Sequence, residues 1–185
     1  MLHHEISGNG KKPLVLLHGF MENTTIWEEM EAHLSKDFTL IKIDLPGHGK
    51  SKVYQEIHTV ELMAEKVKEV IDALKLEKIN LLGHSLGGYV SLAFAEKFPE
   101  ILESMTLFFS TTVADDDEKK QIRKRSIAVI DENFETFVKT SIPNLFSNNE
   151  KDILEGKIEL AKNIAKSTNK EGVKAAQLGM AERPD

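Results

Sequence analysis

Ile79-Asn80-Leu81-Leu82-Gly83-His84-Ser85-Leu86-Gly87-Gly88 is the stretch on which the reading of this chain turns. Its first four residues form a short apolar run suited to a buried parallel strand, and Tyr89 to Lys97 continue as a helix that stops before Pro99. Between strand and helix lies Gly83-His84-Ser85-Leu86-Gly87, a G-x-S-x-G pattern. The pattern alone is weak; its position between the two elements gives it meaning. A serine at such a junction occupies a strained turn where strand and helix nearly touch, so the positions two before and two after scarcely hold a side chain. Gly83 and Gly87 meet that demand, and Gly88 relieves the crowding further. The plain alternative is a strand-to-helix turn or an anion-binding helix start.

Working outward, Leu14-Val15-Leu16-Leu17 and Thr39-Leu40-Ile41-Lys42-Ile43 are two further apolar runs, each followed by a glycine-containing loop. Val60, Met63, Val67, Val70, Ile71 and Leu74 recur at helical spacing, with Thr59 placed to cap the start and Lys75 near the end. Met105 to Phe109 read as one more strand, and His3-His4 sit in an alternation that predicts a first one. These are successive βα units, so the expected class is α/β, a mostly parallel sheet flanked by helices. From Asp115 the chain is charged and rich in helix formers. Helices are predicted around 118–130, 132–140, 152–166 and 171–180, together an inserted helical lid. The expected division is 1–110 for the core and 111–185 for the helical cap.

Two loops bear on chemistry. His18-Gly19-Phe20 follows the first core strand and would bring a main-chain N–H beside the top of the Ser85 turn, with the Leu86 N–H as a second donor. Asp44-Leu45-Pro46-Gly47-His48-Gly49-Lys50-Ser51 is dense in turn formers and reads as a tight loop. Asp44 and His48 can be drawn as an acid–base pair with Ser85, but nothing in sequence brings them together. Trp27, Tyr89, Phe134, Phe137 and Phe146 are candidates for a substrate pocket, although aromatic residues at helical spacing are commonly core. Asp115 to Glu118, followed by Lys119-Lys120 and Arg123-Lys124-Arg125, suggests either a gate for charged substrates or a solvated helix whose charges complement its dipole.

The ordered set His18-Gly19-Phe20, Asp44 to Ser51 and Gly83 to Gly88 resembles the α/β-hydrolase superfamily, in its esterase-like branch with a helical cap. The match covers residues 1 to about 110. Residues 111–185 look like the family's cap, and Gly179 to Asp185 like its exit. The resemblance implies that Ser85 is the nucleophile of a nucleophile elbow, with Phe20 and Leu86 donating N–H groups to an oxyanion hole. Serine at the elbow speaks against the branches that attack with a carboxylate. An ester or related acyl substrate is implied, or an activated C–C bond as in menaquinone-pathway enzymes. In that family the triad acid and base histidine lie beyond the position of Asp185, and no residue here matches them. The chain is therefore expected to be an N-terminal portion of an enzyme, with little activity alone. The other reading is a non-catalytic binding module.

Composition narrows the partners. The chain has 185 residues, 41% of them hydrophobic, enough for one sizeable core. A formal charge of −6 with scattered basic residues argues against nucleic acid and anionic membranes. With no cysteine, thiolate catalysis and cysteine-based zinc sites are excluded. No cofactor and no metal are expected. No apolar run near the start is long enough for a signal core or a membrane span, so a cytoplasmic protein is expected. An unpaired strand at Met105–Phe109 would invite a homo-oligomer or a complementing C-terminal segment.

Overall fold

A computed structural model describes residues 1–185. Five strands form one sheet in the order β1-β3-β2-β4-β5: β1 (His4–Ser7), β2 (Lys12–Leu17), β3 (Phe38–Ile43), β4 (Ile79–His84) and β5 (Leu102–Phe108). All neighbouring pairs are parallel except β1 and β3, which run antiparallel with His4 opposite Ile43. The expected class, a mostly parallel α/β sheet, is what the chain adopts.

Strand alternation distributes the apolar residues over two faces. On β2, Val15 and Leu17 enter the main core, while Leu14 and Leu16 face the other side with Leu40 and Trp27. Trp27 closes a short 3-10 turn (Thr24–Trp27) ahead of α1 (Glu28–Leu34) and is only 1% exposed. Its place on the face of β2 opposite the main core corrects the expectation that it lines a substrate pocket. Bulk and apolarity put the indole under α1, where Leu14, Leu16 and Leu40 leave a site for it.

The periodic segment after β3 is α2 (Val60–Ala73), with Thr59 accepting the Leu62 N–H. That cap is worth about 1 kcal/mol. The buried stripe of Val60, Met63, Val67, Val70 and Ile71 contributes roughly 1.5–3 kcal/mol per side chain, so packing, not the cap, holds this helix. On the same side of the sheet, α3 (Leu86–Lys97) buries Leu86, Val90 and Phe94.

Beyond β5 the chain is helical: α4 (Asp117–Ser141), α5 (Glu155–Ser167) and α6 (Lys170–Glu182). The two helices expected over 118–140 are continuous except for a kink at Asn133, whose φ of −155° and ψ of 88° leave the helical region. The Asn133 side chain accepts the Thr136 N–H and so restarts the helix. Ile130, Phe137, Val138, Ile142, Ala165 and Val173 form a second core closed over Met21, with Phe134 and Phe146 packed against it. These aromatic residues are packing, and the acid-to-base run at the start of α4 is largely exposed. α6 joins both cores, since Val173 belongs to the second while Ala176 and Met180 belong to the main one. No helix is long and apolar enough to cross a membrane.

Candidate active site

Ser85 lies between the last residue of β4 and the first of α3, at φ 49° and ψ −110°. Such a conformation costs on the order of 1–3 kcal/mol and persists only where its surroundings over-determine it. Here they do. The Ser85 N–H donates to Phe108 O at 3.0 Å, and Ser85 O accepts the Ser110 hydroxyl at 2.8 Å and the Gly88 N–H at 2.9 Å. A Cβ on Gly83 would overlap the Gly87 carbonyl, and one on Gly87 would overlap the Leu17 and His18 carbonyls. The glycines permit the near-contact of strand and helix that the spacing demands. Ser85 itself is half-buried at the sheet's carboxyl edge rather than inside a core.

Contact of Gly87 with the Leu17 and His18 carbonyls brings the β2 loop against this bend. The N–H groups of Phe20, in that loop, and of Leu86, at the first turn of α3, bond to no acceptor in the protein. Phe20's ring is anchored between the two apolar cores. The loop turns through Met21 at φ 58°, a strained conformation offset by the burial of its side chain in the second core. Ser110, which holds the Ser85 carbonyl, went unread in the sequence. It stands just after β5 with no spacing to mark it, and only the packing of Gly88 against its side chain reveals the role.

Three buried histidines surround the loops, and none of them bonds to the Ser85 hydroxyl. His18 donates from Nδ1 to Gly19 O at 2.7 Å and accepts the Leu45 N–H on Nε2 at 2.9 Å, so both nitrogens are committed. His58 likewise donates to Pro46 O and accepts the Tyr54 N–H. His48 donates to Pro46 O, while its Nε2 is buried without a partner. Burial is the main cause that lowers the affinity of all three for a proton, and His48 is pushed down to about 3. Asp44 is also committed, accepting the Thr24 and Lys50 N–H groups on its two oxygens. The stretch from Asp44 to Ser51 is the tight loop its turn formers predict; Asp44 and His48 do not pair with Ser85.

Tyr89 stands one turn into α3, its ring covered by the Arg183 guanidinium at 3.9 Å. With Leu92, Thr112 and Arg183 it lines a cleft of about 370 Å³ along α3.

A family model of the alpha/beta hydrolase fold matches residues 12–152, three-quarters of the chain. The chain belongs to this family. Among solved relatives of this alpha/beta hydrolase is a thermophilic esterase from Thermogutta terrifontis, 35% identical, with a TM-score of 0.93 over all of this chain and 68% of the other. An uncharacterised protein of Mycobacterium tuberculosis is 34% identical over 111 residues, 60% of this chain and 32% of its own length. A 2-hydroxy-6-oxononadienedioate/2-hydroxy-6-oxononatrienedioate hydrolase of Escherichia coli K12 is 35% identical over 111 residues, 57% of this chain and 38% of its own. The chain spans about a third of the length of the curated relatives it matches.

Proposed function

We propose that this alpha/beta hydrolase chain carries the nucleophile half of a serine hydrolase that acts on an ester or related acyl group. The observation that carries the reading is the half-exposed Ser85 at φ 49°, followed directly by the Leu86 N–H, with the Gly19-Phe20 loop packed against Gly87 and His84; neither the Phe20 nor the Leu86 N–H has a protein acceptor. In the proposed step, Oγ attacks the carbonyl carbon as its proton passes to a solvent water, which returns it to the leaving alkoxide. Negative charge gathers on the carbonyl oxygen between the two donors, the bond to the leaving alkoxide breaks, and the acyl group remains on Ser85. Donors fixed before reaction stabilise that charge without reorganising, and removing one from such a site costs roughly 10²–10³ in turnover. The helical segment 111–185 is the proposed cap, since its core closes over Met21 and Phe20 beside the bend. Similarity to the Thermogutta esterase favours the ester class.

Without an assigned base the attack is slow. Loss of a base typically costs on the order of a million-fold, leaving roughly 10³–10⁴ over water. Incubation with p-nitrophenyl acetate should place an acetyl group on Ser85, located by peptide mass spectrometry, far more slowly than a base-assisted serine acquires one. The Ser85→Ala chain should acquire none. Acetylation confined to lysines in both proteins would refute the reading. A second reading, cleavage of an activated C–C bond, is favoured by the likeness to the Escherichia coli hydrolase, whose named substrate carries a ketone and no ester. It uses the same serine and donors, and turnover of a vinylogous diketone in place of p-nitrophenyl esters distinguishes it.

A further inference from the structure

One carboxylate oxygen ties the two halves of this site together. Glu22 Oε2 accepts the Gly19 N–H at 2.6 Å and lies 2.9 Å from His84 Nδ1. Gly19 precedes Phe20, and His84 precedes Ser85, so a single side chain bridges the residues immediately before the donor and before the nucleophile. A carboxylate can only accept, which places the imidazole proton on Nδ1 of His84. The space for this bridge exists because residue 19 is glycine; a Cβ there would crowd both the Glu22 carboxylate and the His84 ring. The same turn is closed on its other side by Glu22 N–H to Gly19 O at 3.3 Å, and His84 is further held against Phe108 and Phe109.

From this geometry we infer that Glu22 is a positioning residue, fixing the Phe20 N–H relative to Ser85 by clamping the β2 loop to the end of β4. The inference rests on the acyl-transfer reading above and adds a residue to it. Met21, at positive φ between Gly19 and Glu22, is held by its buried side chain, and the clamp supplies the restraint on the Gly19-Phe20 end of the same turn. Hydrogen-bond acceptance is the property required, and an amide oxygen in the same place supplies it. Glu22→Gln therefore preserves the clamp, whereas Glu22→Ala removes it.

Steady-state hydrolysis of p-nitrophenyl acetate by the 185-residue chain, compared with Ser85→Ala, Glu22→Gln and Glu22→Ala, tests this together with the amide resonances of Gly19, Phe20 and Leu86. Glu22→Ala should lower the Ser85-dependent kcat about tenfold or more with KM within about twofold, because a misplaced donor weakens only the charge that develops in the transition state. Glu22→Gln should stay within about threefold of the parent, since both bonds survive. In the spectra, Glu22→Ala should move the Gly19 and Phe20 amides and speed their exchange, with Glu22→Gln near the parent. Parental kcat in Glu22→Ala alongside a loss in Ser85→Ala overturns the proposal, as do unmoved Gly19 and Phe20 amides. Should Ser85→Ala match the parent, the acyl-transfer reading fails and the amide spectra alone decide whether Glu22 is the clamp.

Discussion

A methyl group placed on Gly87 would meet the carbonyl oxygens of Leu17 and His18, main-chain atoms that cannot yield without displacing β2. Gly87→Ala should lower unfolding stability by about 3 kcal/mol, the upper part of the usual range for overpacking, and distort the Ser85 bend with it. Gly156 provides the contrast, because it stands in α5 with open space around it, and Gly156→Ala should raise stability by about 0.5–1 kcal/mol. Urea midpoints of the two variants check both signs. His48 governs a different variable. Its folded-state proton affinity is pushed down to about 3 by burial, so below the unfolded value near 6.5 the unfolded chain binds a proton that the folded chain refuses. Stability is therefore flat above about pH 6.5 and falls as pH drops toward 3, at up to about 1.4 kcal/mol per unit from this residue. His18 and His58 add in the same direction. His48→Leu should flatten that slope by about one proton in denaturation series between pH 4 and 6.5, while Pro46 O keeps its bond from His58.

The entry and exit of the helical segment are joined by one ion cluster. Asp115 accepts both Arg183, at 2.8 Å, and Arg123, and Arg183 spreads over Tyr89 on the helix that begins just after Ser85. Asp115 and Arg183 are each buried, so removing one partner strands the other's charge. Arg183→Met should cost about 3–5 kcal/mol, reduced to the extent that Arg123 still pairs with Asp115. Because the loss falls at the join, amide exchange should quicken across α4 to α6 while β2 and β4 stay protected; uniform quickening would contradict the clasp. Elements whose evidence is local were legible from the chain alone: β2, β3 and β4 as apolar runs, α2 by its stripe and Thr59, and the Ser85 bend by its glycines. What escaped reading depends on partners far along the chain. α1 carries three glutamates in seven residues and only a short apolar side, and the sheet face that takes Trp27 explains it. Glu22 lies 62 residues from His84, and Arg183 lies 68 from Asp115, separations at which no spacing rule operates. The burial of Trp27 under α1 has the same origin, since an aromatic residue carries no local sign of which side of a sheet will bury it.

Taken as a whole, the molecule is finished on one side of its sheet and open on the other. At one edge β1 pairs with β3 and carries Glu5 beside Lys42 and Lys50, charges that discourage a further strand. At the other, β5 pairs only with β4, most of its residues are exposed, and it leads to Phe109, 82% exposed at φ 47°. Met105 and Phe108 are also partly bared there. An edge of free N–H and C=O groups next to apolar side chains is a template for pairing, and in a pure solution the available partner is a second copy of the chain. Light scattering should therefore give a mass above the 20.8 kDa of one chain, rising with concentration. A Met105→Lys, Phe109→Lys double variant should return the mass to that of one chain with an unchanged far-UV spectrum, because a charge on the edge opposes pairing without touching the buried core. A parent that stays at 20.8 kDa across the concentration range would show that self-pairing through this edge does not occur.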